Sequence, residues 1–125
     1  MFNKDIPTIN MLSDGTTITG NIDIKGDFRI DGNINGNISC TDKLTIGITA
    51  NINGDINSND IEISGNITGN IITKNMSLFK ETSRFNGKII TGKMIVESGA
   101  ILSMNCDMEK KEIPNTNYLG EFIEK

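Results

Sequence analysis

Apolar and polar residues alternate along most of this chain. From Ile22 the apolar positions continue through Ile24, Phe28, Ile30 and Ile34, with Asn21, Asp23, Arg29, Asp31, Asn33 and Asn35 between them. The next stretch repeats the arrangement. Ile38, Cys40, Leu44, Ile46, Ile48, Ala50 and Ile52 alternate with Asn37, Ser39, Thr45, Thr49, Asn51 and Asn53, Gly47 being the exception. Period two marks strands with one buried face; an amphipathic helix would repeat about every 3.6 residues.

A longer period lies over the alternation. Gly20-Asn21-Ile22, Gly36-Asn37-Ile38, Gly54-Asp55-Ile56, Gly69-Asn70-Ile71 and Gly87-Lys88-Ile89 share one pattern, and Met104-Asn105-Cys106 is a degenerate last copy. Successive starts are 16, 18, 15, 18 and 17 residues apart, too short for a helix pair and too long for a hairpin, so the unit is one rung of a solenoid. Residues of like kind fall into rows from rung to rung. One row is Ile22, Ile38, Ile56, Ile71, Ile89 and Cys106; a second is Phe28, Leu44, Ile61, Met76 and Met94; a third is Ile30, Ile46, Ile63, Leu78 and Val96. Rows of this sort rule out an antiparallel sandwich and require parallel strands stacked in register.

Each rung offers about three short strands, which predicts an all-β chain forming a parallel β-helix of about six rungs and triangular section. Gly, Asn and Asp at the corners are read as turn residues that tolerate a left-handed backbone. The same reading takes the many Asn residues as turn formers in preference to side-chain ladders. Left-handed hexapeptide helices repeat an apolar residue every sixth position, which this chain does not, and parallel crossovers are right-handed by default. A right-handed β-helix is therefore expected over residues 13–108, between a flexible tail at 1–12 and a polar tail at 109–125, both expected to be disordered.

Composition narrows the function. The chain has 125 residues, 36% of them apolar and 5% aromatic, with no Trp; a solenoid tolerates this because each rung buries its apolar row against the next. Its two prolines, Pro7 and Pro114, bracket the repeats, as expected if interior rungs need every backbone donor. A net charge of −4, no basic cluster and few stacking aromatics argue against nucleic-acid binding. No apolar run is long enough to span a bilayer, and residues 1–14 lack the apolar core of a secretory signal, so a cytoplasmic location is expected. Cys40 and Cys106 fall four rungs apart, about 19 Å at 4.8 Å per rung, beyond the reach of a disulfide; both read as small buried fillers.

Catalysis has no visible apparatus. The chain contains no His, the commonest general base and metal ligand. Its outward carboxylates, Asp23, Asp31, Asp55, Glu62 and Glu97, are scattered as on a solvated face, and no phosphate-cradling loop or calcium repeat occurs. No cofactor or metal is expected.

Three segments resemble the bactofilins, polymer-forming bacterial cytoskeletal proteins. They are Ser13-Asp14-Gly15-Thr16-Thr17-Ile18-Thr19-Gly20-Asn21-Ile22, Gly26-Asp27-Phe28-Arg29-Ile30-Asp31-Gly32, and Val96-Glu97-Ser98-Gly99-Ala100 leading to Asn105-Cys106-Asp107-Met108. The resemblance spans about residues 13–108. It implies a right-handed β-helix that polymerises end to end without nucleotide and scaffolds cell-envelope enzymes. Two departures lie at the C-terminal end: Met104 stands where the family usually has Gly, and Leu102 where many members have Phe.

A solenoid end exposes unpaired backbone groups unless it is capped, and both tails are short for caps. Ile18, Ile22, Val96, Leu102, Met104 and Met108 are the expected polymerisation interface. Met1, Phe2 and Lys4 resemble a start that some bactofilins use to hold the filament on the inner membrane; one Phe contributes only about 1.5–3 kcal/mol, so such binding would rest on avidity. The expected partners are the chain itself, the cytoplasmic face of the inner membrane and cell-wall enzymes. The competing expectation is a non-polymerising binding module whose outward Asn, Thr and Ser ladders hold a carbohydrate or protein.

Overall fold

The computed structural model describes residues 10–108, and their side chains as far as Cys106. These residues form thirteen strands and no helix, wound as a parallel β-solenoid of about six turns. Every strand pairing is parallel. Three flat faces result. Face A stacks β2 (Thr17–Thr19), β5 (Asn33–Asn35), β8 (Asn51–Asn53) and the opening segments of β10 (Asn66–Phe79), β11 (Arg84–Thr91) and β13 (Ile101–Met108). Face B stacks β3 (Ile22–Ile24), β6 (Ile38–Cys40), the start of β9 (Ile56–Ile63) and the later parts of β10, β11 and β13. Face C stacks β1 (Asn10–Leu12), β4 (Phe28–Ile30), β7 (Lys43–Ile46), the end of β9, the end of β10 and β12 (Lys93–Val96).

The alternation decides which side chains fill the interior. On face A the row Ile18, Ile34, Ile52, Ile67, Phe85, Leu102 runs the length of the solenoid. On face B the row Ile22, Ile38, Ile56, Ile71, Ile89, Cys106 does the same. Each internal Ile is 0–2% exposed, and such burial stabilises by roughly 1.5–3 kcal/mol per side chain.

Rung four departs from the hydrophobic pattern. Ser77, not Met76, pairs with Ile61 and Met94, and Phe79, not Leu78, pairs with Ile63 and Val96. The register shifts by one residue between Thr73 and Met76, because the corner from face B to face C is one residue longer here than in rung three. The exchange is held on both sides. Phe79 is fully buried and its ring lies 5.7 Å from that of Phe85. Ser77 Oγ lies 2.8 Å from Thr73 Oγ1 and 3.0 Å from Thr91 Oγ1, and Thr73 donates to Thr91 at 2.6 Å. A hydroxyl cluster thus occupies the interior, where a buried polar group must find partners. Ser58, next in the same row, is buried with its Oγ unbonded.

Four smaller expectations are also corrected. Only glycines adopt positive φ among the described residues, so Asn and Asp do not serve as left-handed corner residues. The Asn residues build ladders: Asn66 donates to Asn51, Asn51 to Asn33, and Asn53 to Asn35, at 2.8 to 3.2 Å. Ile48 is 66% exposed on a turn, not inward. Asn10–Leu12, read as tail, form β1 against β4, and Leu12 is buried. The expected disorder of 1–9 and 109–125 concerns segments outside the described residues.

Corner glycines set the tightness of the coil. A Cβ on Gly69 would come within 2.0 Å of the Gly54 carbonyl oxygen, and its φ of +142° is one that side chains avoid. Gly36, Gly54 and Gly87 repeat the contact one rung apart. In the last rung Met104 takes this column, opposite Gly87.

Candidate assembly surfaces

The solenoid has two rims. One consists of β1, β2 and β3, the other of β12 and β13. Among the described residues no element pairs with the outer edges of these strands, so each rim presents a row of backbone N–H and C=O groups, a ready template for another chain. The interior rows of faces A and B end at the rims with side chains only partly covered, whereas on face C the terminal Leu12, Met94 and Val96 are buried.

Four of the six residues expected at the interface sit in this way. Ile18 and Ile22 open their rows at the first rim, and Leu102 and Met104 stand at the second; all four are half-buried and packed on the core. Val96 differs. It ends its row at the second rim yet is only 2% exposed, so the chain already covers its side chain and only the β12 backbone is available there. Met108 closes β13 opposite Thr91; its side chain, and Met1, Phe2 and Lys4 entirely, lie outside the described residues.

Sequence reasoning missed Leu12 and Ile24 at the first rim. Leu12 lies 18 residues before Ile30, one full period, and this spacing could have revealed it. Ile24 was visible as an inward residue but was not connected with the end of its row.

Charge is confined to outer positions. Arg29 forms a two-pronged ion pair with Asp31 at 2.9 and 3.1 Å, which raises the pKa of its guanidinium. Glu62 lies 3.1 Å from Lys43 and 3.9 Å from Lys80. These exposed pairs contribute at most about 1 kcal/mol each. Cys40 is buried, and that burial pushes its thiol pKa up, which makes it a poor nucleophile. Neither Cys40 nor Cys106 forms a disulfide. Among the described residues no group of three or more His, Cys, Asp or Glu side chains is placed to hold a metal ion, and no helix is long and apolar enough to cross a membrane.

The described residues thus define a parallel β-solenoid of about six turns with a filled interior. The family model described as bactofilin, polymer-forming cytoskeletal, matches residues 10–107. The chain belongs to the bactofilin family. No curated protein and no solved structure matches it.

Proposed function

We propose that the chain is a structural filament protein that assembles end to end without nucleotide, lies at the cytoplasmic face of the inner membrane and scaffolds cell-envelope enzymes. The observation that carries this reading is the pair of rims whose outer strand edges are unpaired among the described residues, and whose face A and B rows end half-covered, with the ladder spacing of an internal rung. Stacking would bury Leu102, Met104 and Cys106 at one end and Ile18, Ile22 and Ile24 at the other. Backbone pairing supplies affinity and the filled rows supply register, as in strand addition to a sheet edge. The membrane role is assigned to Met1, Phe2 and Lys4, which precede β1 by a short segment; the many copies in a polymer would make a weak anchor effective. The lack of any His in the sequence supports a non-catalytic role.

A carbohydrate-binding module is the weaker reading. The outward amides of Asn33, Asn51 and Asn66 bond to each other along the ladder, which reduces the donors and acceptors left for a sugar. Electron microscopy of purified protein without ATP, GTP or metal tests the proposal. Filaments are expected. Monodisperse monomers under those conditions, with filaments only on adding nucleotide, would overturn it.

A further inference from the structure

The outward column at the centre of face B runs Asp23, Ser39, Asn57, Ile72, Ile90 and, by register, Asp107. Two isoleucines thus point outward in rungs four and five, while Thr73 and Thr91 beside them point inward. Ile72 is 43% exposed and Ile90 half-buried. Folding alone does not account for this inversion, because the same strands bury hydroxyls while leaving branched apolar chains to water.

The neighbouring column carries charge in a symmetric arrangement. Asp55, Asn70 and Lys88 stack in rungs three, four and five, with the Asn70 amide N–H bonded to Asp55 Oδ1 at 3.1 Å. All three are exposed, and neither Asp55 nor Lys88 enters an ion pair among the described residues. Asp55 is one rung below Asn70, and Lys88 one rung above.

We infer that face B is a lateral interface between two copies of this chain, packed with their solenoid axes antiparallel about a two-fold axis along the rung-four strand. This inference rests on the filament reading for its strength in the polymer. The symmetry sets Ile72 against Ile72 and Asn70 against Asn70. It sets Asp55 of each copy against Lys88 of the other, two ion pairs per contact, and Ile90 against Asn57. Sheets packed face to face stand about 10 Å apart, a gap that a Lys side chain spans. The parallel alternative, with a two-fold axis along the solenoid, leaves Lys88 facing the corner at Gly92 with no carboxylate opposite. Charge complementarity therefore selects the antiparallel pairing. Three-residue strands over six rungs give a flat face of only about 250–300 Å² per copy, too little for a stable dimer of isolated chains. Repeated along a filament the same contact becomes multivalent, so it joins filaments in pairs.

Two measurements test this. Electron microscopy should show wild-type filaments two solenoids wide, single filaments for Lys88→Glu, and restored pairs for Asp55→Lys/Lys88→Glu. A short bis-maleimide should join Ile72→Cys chains into covalent dimers. Thr68→Cys, on face A, should give no dimer above the background of the two native cysteines. Adding Lys88→Glu should cut the Ile72→Cys dimer yield about tenfold. Single-width wild-type filaments, or pairs that survive Lys88→Glu, would overturn the inference. So would single wild-type filaments whose binding to phosphatidylglycerol vesicles is lost in Lys88→Glu, an outcome that assigns the face to lipid. Ile72→Cys dimers without any filament would support the face and sink the end-to-end reading, so the two failures are distinguishable.

Discussion

Leu102→Arg separates the roles of core and rim. Leu102 ends the face A row, with Phe85 beneath it and nothing above it among the described residues. It is half-buried, in contrast to Ile52 and Ile67 in the same row, which are 2% and 1% exposed. An Arg there can extend along the apolar rim and keep its guanidinium in water, so the isolated chain loses part of one Leu contact, on the order of 1 kcal/mol. In the proposed end-to-end filament the same position would be enclosed. The loss of Leu burial and the desolvation of an unpaired charge together amount to several kcal/mol per contact. At about 1.4 kcal/mol per tenfold, a penalty near 3–4 kcal/mol raises the critical concentration for assembly by a factor of several hundred. Pelleting across a concentration series reads that factor directly, and circular dichroism confirms that the variant remains β-rich. Wild-type assembly by Leu102→Arg would refute the reasoning by showing that this rim is not a contact. Global unfolding would refute it differently, by showing that Leu102 is ordinary core.

Three further expectations follow from other parts of the coil. Gly69→Ala, whose Cβ would meet the Gly54 carbonyl oxygen at 2.0 Å, should destabilise far more than Gly20→Ala, which has positive φ but open space around it. Equal urea midpoints would show that backbone conformation and not close packing sets the cost, about 1–3 kcal/mol. Ser58→Ala removes an unbonded hydroxyl and should be neutral or stabilising, whereas Thr91→Val leaves Thr73 and Ser77 only each other as partners and should cost about 1–3 kcal/mol; thermal denaturation ranks the two, and the reverse order would remove the cluster's structural role. Deleting Met1–Lys4 should leave filaments intact and lower their co-sedimentation with liposomes of inner-membrane composition; unchanged binding would sink the membrane assignment.

The fold was legible because its signal is redundant. Six near-copies report the same geometry, so an error in one rung leaves the others to define the rows. Rung four shows the limit of that redundancy. Met76 and Leu78 match the apolar character of the rows better than Ser77 does, and a reading by hydrophobicity selects them. The corner at Lys74 and Asn75 decides otherwise, since its extra residue moves Phe79 inside and Leu78 out. One extra residue in a short corner leaves little trace in composition, yet it inverts the side chains of the strand segment that follows. The Asn ladders were misjudged for a related reason. Asn suits both a left-handed corner and a flat ladder, and only the observed dihedrals distinguish them. At the rims, Ile18, Ile22, Leu102 and Met104 were legible as row ends. Val96 was legible as a row end too, but its burial was not.

Inward and outward apolar rows do different work in this molecule, and the distinction joins the fold to assembly. An inward row is satisfied by the rung above and below, so its demand for partners survives only at the two ends. In the proposed filament that demand would be met by a neighbouring copy, so growth along the axis would continue folding and leave no step for a nucleotide to drive. An outward row such as Ile72 and Ile90 is not satisfied by winding at all, however long the coil becomes. It is carried by the strands whose inward neighbours are Thr73 and Thr91, where the interior accepts hydroxyls because they can bond to one another. A chain selected only to wind would gain by exchanging those sides. The retained arrangement places apolar surface on one face, beside an acid and a base set symmetrically about Asn70, where a second filament can cover it.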